Sequence, residues 1–125
     1  MKLDFESEKP LYLQIAEEIE DAVFTGAFAE ETQIPSTTEI SVAFKINPAT
    51  VLKGMNMLVD EGIIYKKRGV GMFVSAGALA KIKQKRQHQF FDCYVQKLVN
   101  EAHKLGFSKQ ELNKLIERGY ENEYD

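Results

Sequence analysis

Lys66, Lys67 and Arg68 stand in a row and run straight into Gly69 and Gly71, and Asn47, Thr50 and Lys53 lie shortly before them. Three contiguous cations taken alone are most often a solubilising turn, but on a glycine hairpin beside a capped helix they suit the attraction of a polyanion such as a phosphate backbone. The formal net charge of the chain is −3, but the charge is unevenly spread. Residues 1–44 hold two cations and ten acids and sum to −8; residues 45–86 hold nine cations against Asp60 and Glu61 and sum to +7; residues 87–125 sum to −2. A partner responds to local charge, so the acidity of the whole chain is a poor guide to what it binds.

Other chemistries are weaker. Gly69 and Gly71 are not followed by GxxxxGK[ST], so a hairpin accounts for them better than a nucleotide cradle. His88, Cys93 and His103 are the soft-metal candidates, and their spacing does not put all three on one helical face; no metal is expected. Cys93 is the only cysteine, which excludes an internal disulfide and fits a reducing cytoplasm. Phe90, Phe91 and Tyr94 read as core or dimer packing before they read as a ligand pocket. Lys81, Lys83, Lys85 and Arg86 either extend a phosphate contact or form a solvated helix face, the second being the better reading. No serine, histidine and carboxylate set stands out, so neither catalysis nor a cofactor is expected.

The 125 residues, 44% of them hydrophobic, suit one compact domain or a small domain with an appendage. No segment has the apolar length of a bilayer span, and the acidic start MKLDFESEKP does not read as a secretory signal. Pro10 opens a first helix with Tyr12, Ile15, Ala16, Ile19, Ala22 and Val23 at helical spacing, Glu17, Glu18, Glu20 and Asp21 mainly opposite, and Gly26 as the stop. After a polar loop, Ser36 and Glu39 have capping-box spacing and start a short helix that buries Ile40, Ala43 and Phe44. Asn47 then caps and Pro48 takes the first position of a helix over 47–61. Its expected buried stripe is Val51, Leu52, Met55, Leu58 and Val59, leaving Ala49, Thr50, Lys53 and Asn56 outward. The modest size of those outward residues permits the close approach that a major groove demands. IIYKK and MFVS read as two short strands around RGVG, whose glycines allow a tight turn. Helix, short helix, helix and basic hairpin make a winged helix-turn-helix, mainly α with a small β-hairpin wing.

From about Ser75 the pattern becomes a long helix with Phe91, Tyr94, Val95, Leu98, Val99, Ala102 and Leu105 on a near-heptad seam, ending at Gly106. Ser108 and Glu111 form a second capping box and open a last helix with Leu112, Leu115, Ile116 and Tyr120 apolar. Two such helices need cover, either from the first domain or from a second copy. The dimer reading uses Phe91, Val95, Leu98, Ala102 and Leu105 with Leu112, Leu115 and Ile116.

PLYLQIAEEIEDAVFTG, IPSTTEIS and INPATVLKGMNMLVDEGIIYKKRGVGMFV occur in order across roughly residues 9–75. In this the chain resembles the DNA-binding domain of the GntR family of bacterial transcription regulators, and its short tail resembles the YtrA subfamily, whose C-terminal region serves mainly in dimerisation. The resemblance implies DNA contact from Ser36, Thr37 and Thr38, from Asn47, Ala49, Thr50 and Lys53, and from Lys66, Lys67, Arg68, Gly69 and Gly71. Many family members carry arginine at the position of Thr38, and others have Ser-Arg where this chain has Asn47-Pro48; Lys53 likewise stands where arginine is frequent, and Glu30-Glu31 replace a usual Pro-Gly. Lysine and threonine lack arginine's planar fork, so guanine reading differs here. The expectation is a cytoplasmic, homodimeric, winged helix-turn-helix regulator of double-stranded DNA. It would act as a repressor at a palindromic operator, with a DNA-binding domain at 9–75 and a dimerisation region at 76–125. The rival is a winged helix that binds protein instead. Whether a small effector exists stays open.

Overall fold

A computed structural model of the chain describes residues 1–123. Met1–Lys85 form one compact unit and the residues from Arg86 onward a second. The first begins with α1 (Leu11–Phe24), in which Pro10 accepts from the amides of Leu13 and Gln14 through its carbonyl. Strand β1 (Gln33–Ile34), α2 (Thr37–Phe44) and α3 (Pro48–Asp60) follow, then β2 (Ile64–Lys67), β3 (Gly71–Val74) and the start of α4 (Ala78–Phe90). The strands form one antiparallel sheet in the order β1-β3-β2, with Ile34 opposite Met72 and Tyr65 opposite Phe73. The third strand is not evident from the sequence: two residues next to Pro35 are too short to show alternation.

Ile15, Ile19 and Val23 of α1, Val51, Met55 and Leu58 of α3, and Ile64 and Val74 of the sheet are all essentially inaccessible and make one core. Each contributes about 1.5–3 kcal/mol by leaving water. Ala78 and Ile82 of α4 belong to the same core, so the first unit reaches beyond the hairpin. The approach of α3 to α1 is set at Gly54, where a Cβ would stand 2.5 Å from the Tyr12 carbonyl oxygen.

Polar side chains fasten what the core does not. Gln14, 8% exposed, holds the N-terminal segment by accepting from the Asp4 amide and donating to the carbonyls of Asp4 and Lys9. The Glu30 carboxylate accepts from the amides of Gly77 (2.7 Å) and Leu79 (3.1 Å) and so caps α4 from a distant loop. Those two backbone bonds hold its pKa below 4.5. Lys85 donates to both Glu20 and Glu61, and the Lys81 ammonium donates to the Gly62 carbonyl. Glu20 is therefore not on the open acidic face of α1 that helical spacing assigns to it; it is buried against a lysine 65 residues away.

In the second unit the chain remains helical, through a π-helical turn at Phe91–Val95, to the end of α5 (Gln96–Lys104). Gly106, with φ of +80°, ends α5 as expected. α6 (Lys109–Glu123) opens on the expected capping box: the Glu111 amide donates to Ser108 Oγ, and the Ser108 amide to the Glu111 carboxylate. No helix among the described residues is long and apolar enough to cross a membrane.

Candidate nucleic-acid interface

α2 and α3 are joined by Lys45–Asn47, and the joint is stiff. Lys45 takes a left-handed conformation (φ 55°), and the Ser41 hydroxyl, buried, donates to the Ile46 carbonyl at 2.6 Å. Both helix starts are capped as their sequences predict. The Glu39 amide donates to Ser36 Oγ (3.0 Å) while the Ser36 amide donates to Glu39, and the Ala49 amide donates to Asn47 Oδ1 (2.8 Å). Ser36 Oγ and Asn47 Oδ1 are thus engaged in holding helix ends. Thr37 is half-buried and Thr38 exposed in the first turn of α2.

The face that α3 turns to solvent differs in one respect from the expected one. Leu52, placed in the core by its type, is 48% exposed, and Gly54 takes the buried position instead. Ala49, Leu52, Lys53 and Asn56 are the outward residues, and Thr50 is half-buried at their edge. On α2, Ala43 is likewise exposed rather than buried, and Ser41 takes its place inside. Small or polar residues are what an apolar-count reading of a short helix discards, although Gly54 lies at the right phase of the stripe. Lys53 does not hang free: its ammonium lies 3.9 Å from the ring centroid of Tyr12.

The β2–β3 hairpin forms the wing. The register puts Tyr65, Phe73, Gly71, Lys67 and Gln33 on one face of the sheet and Ile34, Met72, Ile64 and Lys66 on the other, so Lys66 and Lys67 point to opposite sides. Tyr65 and Phe73 stack with centroids 5.8 Å apart, and the Lys67 ammonium lies 5.3 Å from the Phe73 centroid. Arg68, Gly69 and Val70 are exposed at the turn, with Gly69 at φ +77°. The Gln33 side-chain amide donates to the Val70 carbonyl at 3.0 Å and lies where a Cβ on Gly71 would be. Gln33 and Tyr12 are the residues that reading for charge misses, since each acts only through a distant partner.

The lysines after the wing divide. Lys81 and Lys85 are engaged with Gly62, Glu20 and Glu61, so neither belongs to a solvated face free for phosphate. Burial works to lower the pKa of Lys85, but the hydrogen bonds it donates to Glu20 and Glu61, with their charges, outweigh it and raise the value above 10.5. The effective cation supply of residues 45–86 is therefore smaller than its sum by Lys81 and Lys85, while Lys45, Lys53, Lys83 and the wing cations stay exposed.

In the second unit Phe91, Leu98 and Leu105 are exposed, Ile116 is 41% exposed, and Val95, Leu112 and Leu115 are half-buried. Ala102 is buried within the single chain, and its carbonyl accepts from the Phe107 amide. Phe90 and Tyr94 pack on each other at 5.5 Å and are themselves exposed.

Two capped helices at a tight joint, the second turning Ala49, Leu52, Lys53 and Asn56 outward, beside a cationic hairpin in a three-stranded sheet, define a winged helix-turn-helix. The chain belongs to the gntR family of bacterial regulatory proteins, whose family model matches residues 11–74. It is also similar along most of its length to the HTH-type transcriptional repressor YtrA of Bacillus subtilis (strain 168), at 27% identity over 93% of this chain and 88% of that protein. The likeness extends into the helical tail, which makes the chain YtrA-like. Among solved structures, a GntR-family transcriptional regulator from Bacteroides thetaiotaomicron has a TM-score of 0.72 and 35% identity, covering 89% of this chain and 96% of that one. AraR(DBD) in complex with operator ORX1 has a TM-score of 0.54 and 30% identity, covering 60% of this chain and 93% of that one. DNA-binding regulation of transcription is the function these findings give the chain.

Proposed function

We propose that the protein is a repressor that binds a palindromic operator as a two-fold dimer and thereby blocks promoter access, acting in the cytoplasm by binding and not by catalysis. Residues 9–75 are the DNA-binding domain, its core completed by Ala78 and Ile82 at the start of α4, and the remainder of 76–125 is the dimerisation region. α3 enters the major groove, where Lys53, Thr50 and Asn47 discriminate bases, Ala49 permits close approach, and Leu52 offers the apolar contact that a thymine methyl group takes. Ser36, Thr37 and Thr38 at the start of α2 meet the backbone, as do Lys66, Lys67, Arg68, Gly69 and Gly71 of the wing, on its two sides. The observation that carries this reading is the juxtaposition of a capped, close-approaching α3 with cations on a braced hairpin. The operator complex of the similar AraR(DBD) supports double-stranded DNA as the partner.

The dimer rests on the tail. Phe91, Leu98, Leu105 and Ile116 are large apolar side chains left exposed in the tail, and a two-fold pairing would cover them. Two recognition helices then meet half-sites about 34–36 Å apart, or a multiple of that. Footprinting on DNA upstream of the protein's own gene tests the proposal. A protected inverted repeat at that spacing is expected; protection of a single half-site, or of nothing at any protein concentration below aggregation, contradicts it. The second of those results favours a winged helix that binds protein.

A further inference from the structure

We infer that Tyr12 is a positioning residue for operator recognition: it aims the Lys53 ammonium from beneath, so that a lysine reads bases with a directionality its flexible stem does not itself provide. The inference rests on the proposed role of Lys53. An unrestrained lysine carries four rotatable carbons and a point charge, and so reports a phosphate or a guanine edge with little angular preference. Here the ammonium lies over the Tyr12 ring, 3.9 Å from its centroid, where the ring quadrupole attracts it. One direction of the cation faces the ring, and the N–H donors directed away from it remain for acceptors such as guanine O6 and N7.

The ring itself is well supported. Tyr12 is half-buried in the first turns of α1, and its own carbonyl oxygen is in the close contact with Gly54 that fixes α1 on α3. Lys53 and Gly54 are adjacent, so one residue of α1 sets both the height of α3 and the direction of its only cation. This compensates in part for the absent guanidinium fork: angular definition comes from a second residue rather than from the cation.

The test is a double-mutant cycle in the full-length chain, read by titration of the footprinted operator and of a shuffled duplex. Tyr12→Leu should weaken operator binding about 2–5-fold, as expected for a solvent-accessible cation–π contact, and leave the shuffled duplex unaffected. Tyr12→Phe should bind as the parent does. In a Lys53→Ala background, Tyr12→Leu should have no further effect. A loss that persists in that background overturns the inference, because Tyr12 then acts on DNA or on the fold without Lys53. So does a Tyr12→Phe variant as weak as Tyr12→Leu. If Lys53→Ala weakens binding and Tyr12→Leu does not, the inference fails alone; if Lys53→Ala has no effect, the proposed reading of Lys53 fails with it. One measurement needs no variant to fold: ring-current shielding should move the Lys53 Hε resonances upfield, and unshifted resonances in the parent protein overturn the aimed lysine.

Discussion

Lys85→Met is the perturbation that best separates structure from charge in this molecule. Lys85 donates to Glu20 and, at 2.7 Å, to Glu61, and the three side chains are 33%, 10% and 34% exposed. Exposed ion pairs contribute about 0–1 kcal/mol, while removing one partner of a fully buried pair costs about 3–5 kcal/mol. This cluster lies between, because Glu20 is buried and the other two are partly wet, so the expected loss is about 1–3 kcal/mol. Methionine keeps the apolar stem, so the loss reports the missing charge. In a unit of this size each kcal/mol lowers Tm by about 4–8 °C. Urea unfolding should show a lower midpoint at unchanged slope, and Glu20→Gln added to Lys85→Met should recover part of the loss by removing the stranded carboxylate. The pH dependence has a definite sign. The folded pKa of Lys85 is raised above 10.5, so its contribution is complete below that value and is lost as pH rises through the folded pKa. The gap between parent and variant should close in strong alkali. Equal stability at neutral pH, or a gap indifferent to alkali, refutes the clamp.

Four further outcomes are expected. Gly54→Ala, which in an ordinary helix would gain about 1 kcal/mol, should instead destabilise by about 1–3 kcal/mol because the new Cβ meets the Tyr12 carbonyl; calorimetry decides the sign. Glu30→Gln should lower Tm at neutral pH, and since the folded pKa of Glu30 lies below 4.5 the difference should vanish as pH falls through that lowered value. Lys66→Ala and Lys67→Ala should each flatten the salt dependence of binding by about one unit and weaken cognate and random DNA alike; loss confined to the operator would show that the wing reads bases. Leu98→Asp should shift the chain toward monomer in analytical ultracentrifugation at micromolar concentration and abolish palindrome preference, since an unpaired carboxylate in a self-associating seam is costly. A parent chain that is itself monomeric there contradicts the dimer.

What the sequence discloses is local. The caps at Ser36–Glu39, Asn47–Pro48 and Ser108–Glu111 each lie within a few residues, and so do the wing turn and the exit at Gly106; all are present. The misplacements arise where a residue answers to something distant. Leu52 is outward because α1 sits at Gly54, which its small size alone permits. Glu20 is inside because Lys85 reaches it, and Glu30 looks like loop filler until α4 returns its N-terminus to it. The split of Lys66 from Lys67 needs the register of β2 on β3. Charge counting finds the basic segment, but it cannot tell cations held by the fold from cations left for a partner.

In the proposed complex α3 reads sequence through Lys53. This is tested by fluorescence-anisotropy titration of parent and Lys53→Ala on the footprinted operator and on a shuffled duplex of equal composition. Lys53→Ala should lose about 1–3 kcal/mol on the operator alone, with Tm changed by no more than an exposed substitution gives, so that the ratio of the two affinities collapses. Equal loss on both duplexes would reduce Lys53 to a phosphate contact, and an unchanged ratio with unchanged affinity would remove it from the interface altogether.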